Sequence, residues 1–240
     1  MRATQNKDAG FIFPKSRRKW NSHPQQCGRN NSQIFKAAGI IPCCKLGDVI
    51  YVLLQRRIFN GKDPGTFTLG WYEDLGGSKS VGERKENANI LETATREASE
   101  ETNCAHGLDG GIPAVDYKTL TPAVMSKSKE FFKSRVGEPV LNPAIHYALY
   151  IANIEPENKL PDISYGSYEL VDRFRRRLFW VELSTFENFM VKNMCHPRLN
   201  GMLPDIKRRI YSQFVDRVED TRVLSTNSTN MNNENFDDTL

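Results

Sequence analysis

The interior of the chain opens with Phe35-Lys36-Ala37-Ala38-Gly39-Ile40-Ile41-Pro42, an apolar run that reads as extended. After Gly47 comes Asp48-Val49-Ile50-Tyr51-Val52-Leu53-Leu54-Gln55-Arg56-Arg57. Two such runs joined by a short polar turn predict an antiparallel hairpin. The breakers in Asn60-Gly61-Lys62-Asp63-Pro64-Gly65 end it, and Phe67 to Tyr72 predicts a third strand. The glycine pair Gly76-Gly77 and a polar stretch then lead into a helix predicted over 89–102. Beyond it, 107–113 reads as loop, 126–134 as a short helix, and 146–154 and 178–183 as strands. Leu203, Ile206, Ile210, Phe214 and Val218 recur by three and then by fours, the stripe of a terminal helix packed on a core. Strands first, a helix in the middle, more strands and a last helix predict an α+β sandwich around a mixed sheet.

The 240 residues suit one domain with tails. Residues 1–32 read as a flexible N-terminal arm, 33–218 as the folded domain and 219–240 as a disordered, Asn-rich tail. The net charge of +4 is too small to select a class of partner. Its placement says more. Arg17-Arg18-Lys19, Arg173-Phe174-Arg175-Arg176-Arg177 and Lys207-Arg208-Arg209 are basic clusters that suit an RNA backbone or a solvated surface. The cysteines, Cys27, Cys43, Cys44, Cys104 and Cys195, are odd in number and lack zinc-site spacing, so reduced thiols are expected. No apolar run approaches the roughly 18 residues of a membrane span. The N-terminus carries no apolar secretory stretch, which predicts an intracellular protein, cytoplasmic or, given the basic arm, nuclear.

The chemistry concentrates in Arg96-Glu97-Ala98-Ser99-Glu100-Glu101. At about 100° per helical residue, Glu97, Glu100 and Glu101 share an arc of roughly 100°, and Ile90, Ala94 and Ala98 lie beside it. The acidic face therefore borders the buried face instead of opposing it. Like charges at i, i+3 and i+4 repel, and they sit near the helix C-terminus, where the dipole disfavours anions. A divalent cation removes the conflict, and hard carboxylate oxygens suit Mg²⁺ or Mn²⁺. A charged surface helix is the alternative. Against it stand the upstream glycines, where backbone can approach a phosphate closely, and Arg96 beside the cluster.

Gly76-Gly77 followed by Arg96-Glu97-Ala98-Ser99-Glu100-Glu101-Thr102-Asn103 resembles the Nudix box, G-x5-E-x7-R-E-U-x-E-E-x-G-U, with Ala98 as the apolar U. The order of strands, glycine pair, loop and helix is similar to that family's fold. The resemblance implies a Nudix-type α/β/α sandwich that hydrolyses a phosphoanhydride in a nucleoside diphosphate-linked substrate. It implies Glu97, Glu100 and Glu101 as metal ligands, with one of them or a glutamate from a later loop deprotonating water. Arg96 would bind the helix to the loop through a carboxylate. Gly76, Gly77 and Arg56 are the candidate substrate contacts.

Three positions depart from the family. The stretch from Gly77 to Arg96 is five residues longer than the box, so Ala88 stands where the family has its glutamate. Glu83, which follows Gly82, is the best replacement as partner of Arg96, with Glu86 and Glu92 open. Asn103 replaces the last glycine, and Asn is the next best residue for a left-handed helix cap. Trp71-Tyr72-Glu73-Asp74-Leu75 precedes the glycines without the usual proline. These features leave three expectations. The first is a pyrophosphohydrolase acting on a nucleotide-type small molecule. The second is a non-catalytic binding module of the same fold, and the third an enzyme acting on the 5′ end or cap of RNA.

Overall fold

The computed structural model describes residues 35–61, 65–85, 89–106, 121–154, 165–169 and 174–214. The expected arm, the tail, the loop at 107–113 and Val218 lie outside them. The strands are β1 (Ala37–Leu46), β2 (Val49–Asn60), β3 (Phe67–Glu73), β4 (Leu75–Ser78), β5 (Val140–Asn142), β6 (Tyr147–Asn153) and β7 (Arg176–Glu182). The helices are α1 (Val81–Lys85), α2 (Ile90–Glu101), α3 (Pro122–Lys133), α4 (Leu183–Val191) and α5, helical over 203–214.

The strands form one mixed sheet in the order β3-β2-β1-β6-β5, with β4 beside β1 and β7 beside β2. The β1–β2 hairpin turns at Gly47, whose φ of 59° is the left-handed conformation glycine takes without strain. β1 runs parallel to β6 and antiparallel to β2 and β4. The first half of β1 pairs with β4 and the second half with β2, so the glycine strand is laid against the sheet centre.

Alternation along the central strands sorts their side chains into two cores. Ile41, Val52, Leu54, Leu149 and Ile151 face α4 and α5, packing with Phe186, Ile206 and Ile210. Ile40, Leu53, Ala148 and Tyr150 face α2 and α3, packing with Ala94, Ala98 and Phe132. Helices therefore cover both sheet faces, and the fold is the α/β/α sandwich expected. Ala94 and Ala98 are fully buried where α2 packs on β1 and β4. Their small side chains let the helix axis approach the sheet closely.

Several elements depart from the hydrophobic pattern, the short edge strand β5 among them. β4 is a strand because Gly76 and Gly77 lie in extended backbone against Gly39 and Ala38. α1 is a short helix closed by a capping box: the Ser80 N–H donates to Glu83 Oε2 at 2.6 Å, and the Glu83 N–H donates to Ser80 Oγ at 3.1 Å. α3 begins earlier than its apolar residues indicate, because Thr121 caps it and Pro122 takes the first turn. α4 follows β7 without a loop, so its apolar residues continue a run that reads as strand. Among the described residues no helix is long and apolar enough to cross a membrane.

Candidate active site

Asn89 caps α2 through a side-chain oxygen that accepts from the Leu91 N–H at 3.1 Å. The helix then carries Arg96, Glu97, Glu100 and Glu101 past the β4 glycines. A Cβ on Gly77 would stand 2.5 Å from the Glu97 carboxylate. A Cβ on Gly76 would stand 2.6 Å from Gly39 Cα and 2.7 Å from the Ala38 carbonyl oxygen, and would also meet the Tyr147 hydroxyl. Both glycines are thus requirements of close approach between helix, strand and Tyr147.

Arg96 is the hub of the cluster. Its Nε donates to Glu83 Oε1 at 3.0 Å and its Nη2 to Glu83 Oε2 at 3.2 Å, a bidentate pair. Nη2 also donates to the Ser78 carbonyl at 3.0 Å and to Glu97 at 2.7 Å, and Nη1 to Glu100 at 2.7 Å. Glu83 is therefore the partner, as its place after Gly82 indicated. Glu92 instead meets Lys129 at 2.9 Å and Lys133, both on α3. Glu86 lies outside the described residues. Burial alone would raise the Glu83 carboxyl, but its bonds to Arg96 and Ser80 outweigh this and lower it.

The three glutamates of the helix are lifted instead. Burial raises Glu97 despite Arg96. Burial, with Arg96 opposing and Glu97 and Glu169 adding repulsion, pushes Glu100 up to about 7. Glu101 is the extreme case. It is 1% exposed, burial raises it well above the carboxylate range, and its Oε2 has no hydrogen-bond partner. A buried carboxylate oxygen without a partner costs on the order of 1–3 kcal/mol, and more for a charged group. That oxygen is where protonation or a bound cation would relieve the site.

The metal expectation meets a complication here. Among the described residues, no three His, Cys, Asp or Glu side chains are grouped so as to hold a metal ion. The cause is visible: Glu97 and Glu100 are turned onto Arg96. Part of the charge conflict read from the helix is therefore offset by the guanidinium next to it. The donor chemistry still fits a hard divalent cation. Arg96 would keep Glu83 and the Ser78 carbonyl if Glu97 and Glu100 turned away, and Glu101 Oε2 is already unpartnered.

Around the cluster lies a network that the sequence did not single out. Arg57 stands 4.0 Å from Glu101 and 4.0 Å from Glu73. Glu73 is 3.4 Å from Arg198, which holds the buried Asp74 at 2.7 Å, and Asp74 also accepts from the Tyr147 hydroxyl. Charges thus alternate from Glu101 through Arg57, Glu73 and Arg198 to Asp74. Asp74, with Tyr147 and Glu73, keeps Arg198 protonated against its burial. Lone charged residues on separate strands and a 3₁₀ turn (Pro197–Leu199) gave no local motif; only the sheet register brings them together.

The candidate substrate contacts divide. Gly76 and Gly77 lie under α2, whereas Arg56 does not join the glutamates. It lies on Tyr72, 4.4 Å above the ring, and Tyr72 stacks on Phe189 of α4. Arg57 is the member of the pair that faces α2. Asn103 takes the left-handed cap expected of it, with φ of 54°. Its amide also donates to the Tyr165 carbonyl at 2.7 Å and the Tyr168 carbonyl at 2.8 Å. A glycine could not do this, and the bonds tie the segment carrying the buried Glu169 to the acidic end of α2. Cys43, Cys44, Cys104 and Cys195 are free and buried. Cys27 lies outside the described residues.

No family model matches the chain, and no curated protein matches it. Among solved structures, the Ap4A hydrolase of C. elegans in a binary complex aligns at 16% identity with a TM-score of 0.37, covering 74% of this chain and 99% of that one. The same hydrolase in another structure gives 16% and 0.34, covering 72% and 96%. The T. brucei MERS1–RNA complex gives 13% and 0.35, covering 68% of this chain and 56% of that one.

Proposed function

We propose that the chain is a divalent-metal-dependent hydrolase of a phosphoanhydride bond in a nucleoside diphosphate-linked substrate. The observation that carries the reading is the Arg96 hub. Its bidentate bond to Glu83 rebuilds the arginine–glutamate clamp that the lengthened loop had removed from its expected position, and it does so beside the buried Glu101 and the half-buried Glu97 and Glu100. A clamp kept across a loop of altered length supports a site whose geometry matters.

In this reading Glu97, Glu100 and Glu101 would hold Mg²⁺ or Mn²⁺. Such an ion, when bound, neutralises the diphosphate and acidifies water. The remaining work falls to the chain. Glu83 and the Ser78 carbonyl fix Arg96, and so fix the height of α2 over β4. Arg57, 4.0 Å from Glu101, adds a positive charge at the edge of the cluster for an anionic substrate. Gly77 leaves room against the Glu97 carboxylate. Glu100, or Glu169 from the later segment that Asn103 holds, takes the proton from the attacking water.

The test is product formation across nucleotide sugars, dinucleoside polyphosphates, deoxynucleoside triphosphates and capped RNA, with Mg²⁺ or Mn²⁺. Glu100→Gln and Glu101→Gln should each lower turnover by two orders of magnitude or more. Folded protein that turns over none of these substrates contradicts the reading.

The observation that favours the second reading, a non-catalytic binding module, is the same hub seen the other way: Arg96 already neutralises Glu97 and Glu100. That reading predicts nucleotide binding that is indifferent to divalent ions and to Glu100→Gln. Substrates with an RNA body suit the basic residues of β7, and capped RNA in the panel separates them from free nucleotides.

A further inference from the structure

β2 and β7 pair so that Arg57 faces Arg176 and Arg56 faces Arg177 across the same two rows. Like charges directly opposite each other on a sheet repel. On the α2 face the conflict is answered: Arg57 is near Glu73 and Glu101, and the Arg176 guanidinium feels Glu101 and Glu169 while donating to the Tyr165 and Gly166 carbonyls. On the opposite face it is not. Among the described residues no carboxylate pairs with Arg56, Arg175 or Arg177.

These three arginines line one cavity of about 540 Å³, with Tyr72, Phe179 and Leu69. Its size falls within the roughly 300–1,000 Å³ of small-molecule sites. Tyr72 and Phe179 belong to the core that packs α4 and α5, so most of the lining lies on the sheet face away from α2, with Arg176 reaching the cavity from the other face. Its walls are arginine on aromatic. Arg56 lies over Tyr72, and Arg175, whose side chain lines the cavity, lies 4.5 Å over the half-exposed ring of Phe67. Guanidinium planes stacked this way keep their N–H edges free for an anion.

A bulge makes the arrangement. The β2–β3 register slips between Arg56 and Ile58, so that the Gly70 carbonyl accepts from Arg56 Nε at 3.0 Å. That bond fixes one edge of the guanidinium, and Nη1 reaches the Tyr72 hydroxyl at 3.4 Å. Arg177 is exposed at the mouth and Arg175 half-buried beside it.

We propose that this cavity is a second binding site, separate from the glutamates of α2, for a nucleoside monophosphate unit, with the phosphate held by Arg175 and Arg177 and the base lying among the stacked aromatic and arginine planes. The unit is either a free nucleotide or one residue of a single-stranded RNA. Phosphate suits arginines that no described carboxylate pairs, and a flat ring suits the Phe179 face and the Arg56 guanidinium plane that line the cavity.

Calorimetric titration of the full chain in EDTA tests this without any hydrolysis, using AMP, adenosine, inorganic phosphate and a short oligoadenylate. AMP should bind, with adenosine and phosphate each much weaker. Arg177→Gln and Arg175→Gln, checked for an unchanged melting temperature, should each weaken AMP by at least about tenfold, the loss expected of one charge-assisted hydrogen bond. An oligoadenylate that binds tighter than AMP, with the same sensitivity, identifies RNA as the source; equal or weaker binding identifies the free nucleotide. Absence of binding by both AMP and oligoadenylate overturns the proposal. So does phosphate binding as tightly as AMP, or AMP binding that Glu100→Gln abolishes and the two arginine substitutions leave unchanged.

Discussion

Glu83→Gln separates the clamp from the charge cluster it supports. The substitution keeps the shape of the side chain but removes the charge that faces Arg96 at 3.0 and 3.2 Å. Arg96 is not orphaned, because Glu97, Glu100 and the Ser78 carbonyl remain. The cost is therefore below the roughly 3–5 kcal/mol of breaking a buried pair outright. Two charge-assisted hydrogen bonds, partly replaced by the amide, and a weakened capping box put it at about 2 kcal/mol. At roughly 2–4 °C per kcal/mol for a domain of this size, the melting temperature should fall by about 4–8 °C. Removing Glu83 also leaves Arg96 held mainly by Glu97 and Glu100, so affinity for Mn²⁺ should fall by more than the loss of stability alone explains. Glu92→Gln is the control. Glu92 pairs with two α3 lysines at a partly exposed position, so its loss should cost about 1 kcal/mol or less and leave Mn²⁺ binding alone. Differential scanning calorimetry and Mn²⁺ titration of both variants read these outcomes. A Glu83→Gln protein with unchanged stability and metal affinity, beside a Glu92→Gln protein that loses both, would refute the assignment of the clamp.

Two further predictions follow from burial. Gly76→Ala places a methyl group against the backbone of Gly39 and Ala38 and should destabilise by about 1–3 kcal/mol; Gly77→Ala first meets the movable Glu97 carboxylate and should shift Mn²⁺ affinity more than the denaturant midpoint. His106 is enclosed by Phe131, Phe132 and Tyr165, and burial, with Arg135 adding, lowers its imidazolium to about 4 from the usual 6.5. Between those values the unfolded chain binds the proton and the folded chain does not. The neutral ring's contribution is thus complete above pH 6.5 and lost as pH falls towards 4, about 3 kcal/mol in all. The raised carboxyls of α2 act in the opposite sense, so the measure is the difference between wild type and His106→Phe in urea unfolding from pH 7.5 to 4; equal pH slopes in the two proteins would refute it.

The hairpin and the α/β class were legible because the apolar runs Ile40-Ile41, Val52-Leu53-Leu54 and His146 to Ile154 mark the strands; their order in the sheet was not, since it depends on pairing between distant segments. The glutamate helix was legible because its spacing is local. Glu83 could be ranked first from its neighbour Gly82, yet only the fold shows α1 and the capping box that carry it to Arg96. Arg57, Glu73, Asp74 and Arg198 were not legible, since ion pairs between distant residues depend on register and leave no periodic trace. Arg56 was read as a substrate contact, and it lies on the sheet face opposite its neighbour Arg57. Alternation says that the two point to opposite faces, but not which face α2 covers. The glycine pair was read as a place where backbone can approach a phosphate closely; the missing side chains also admit Tyr147 and α2.

The proposed metal site depends on the buried Glu101, and direct Mn²⁺ binding tests it. Glu101→Gln replaces a buried acid, one of whose oxygens has no partner, with a neutral side chain of the same size, so in EDTA the variant should be at least as stable as wild type. Free Mn²⁺ followed by its electron paramagnetic resonance signal should show binding to wild type and at least about tenfold weaker binding to the variant. Mn²⁺ at about 100 times its Kd should stabilise wild type by about 2.7 kcal/mol. Equal Mn²⁺ affinity in the two folded proteins, or no binding to either, would contradict the metal site.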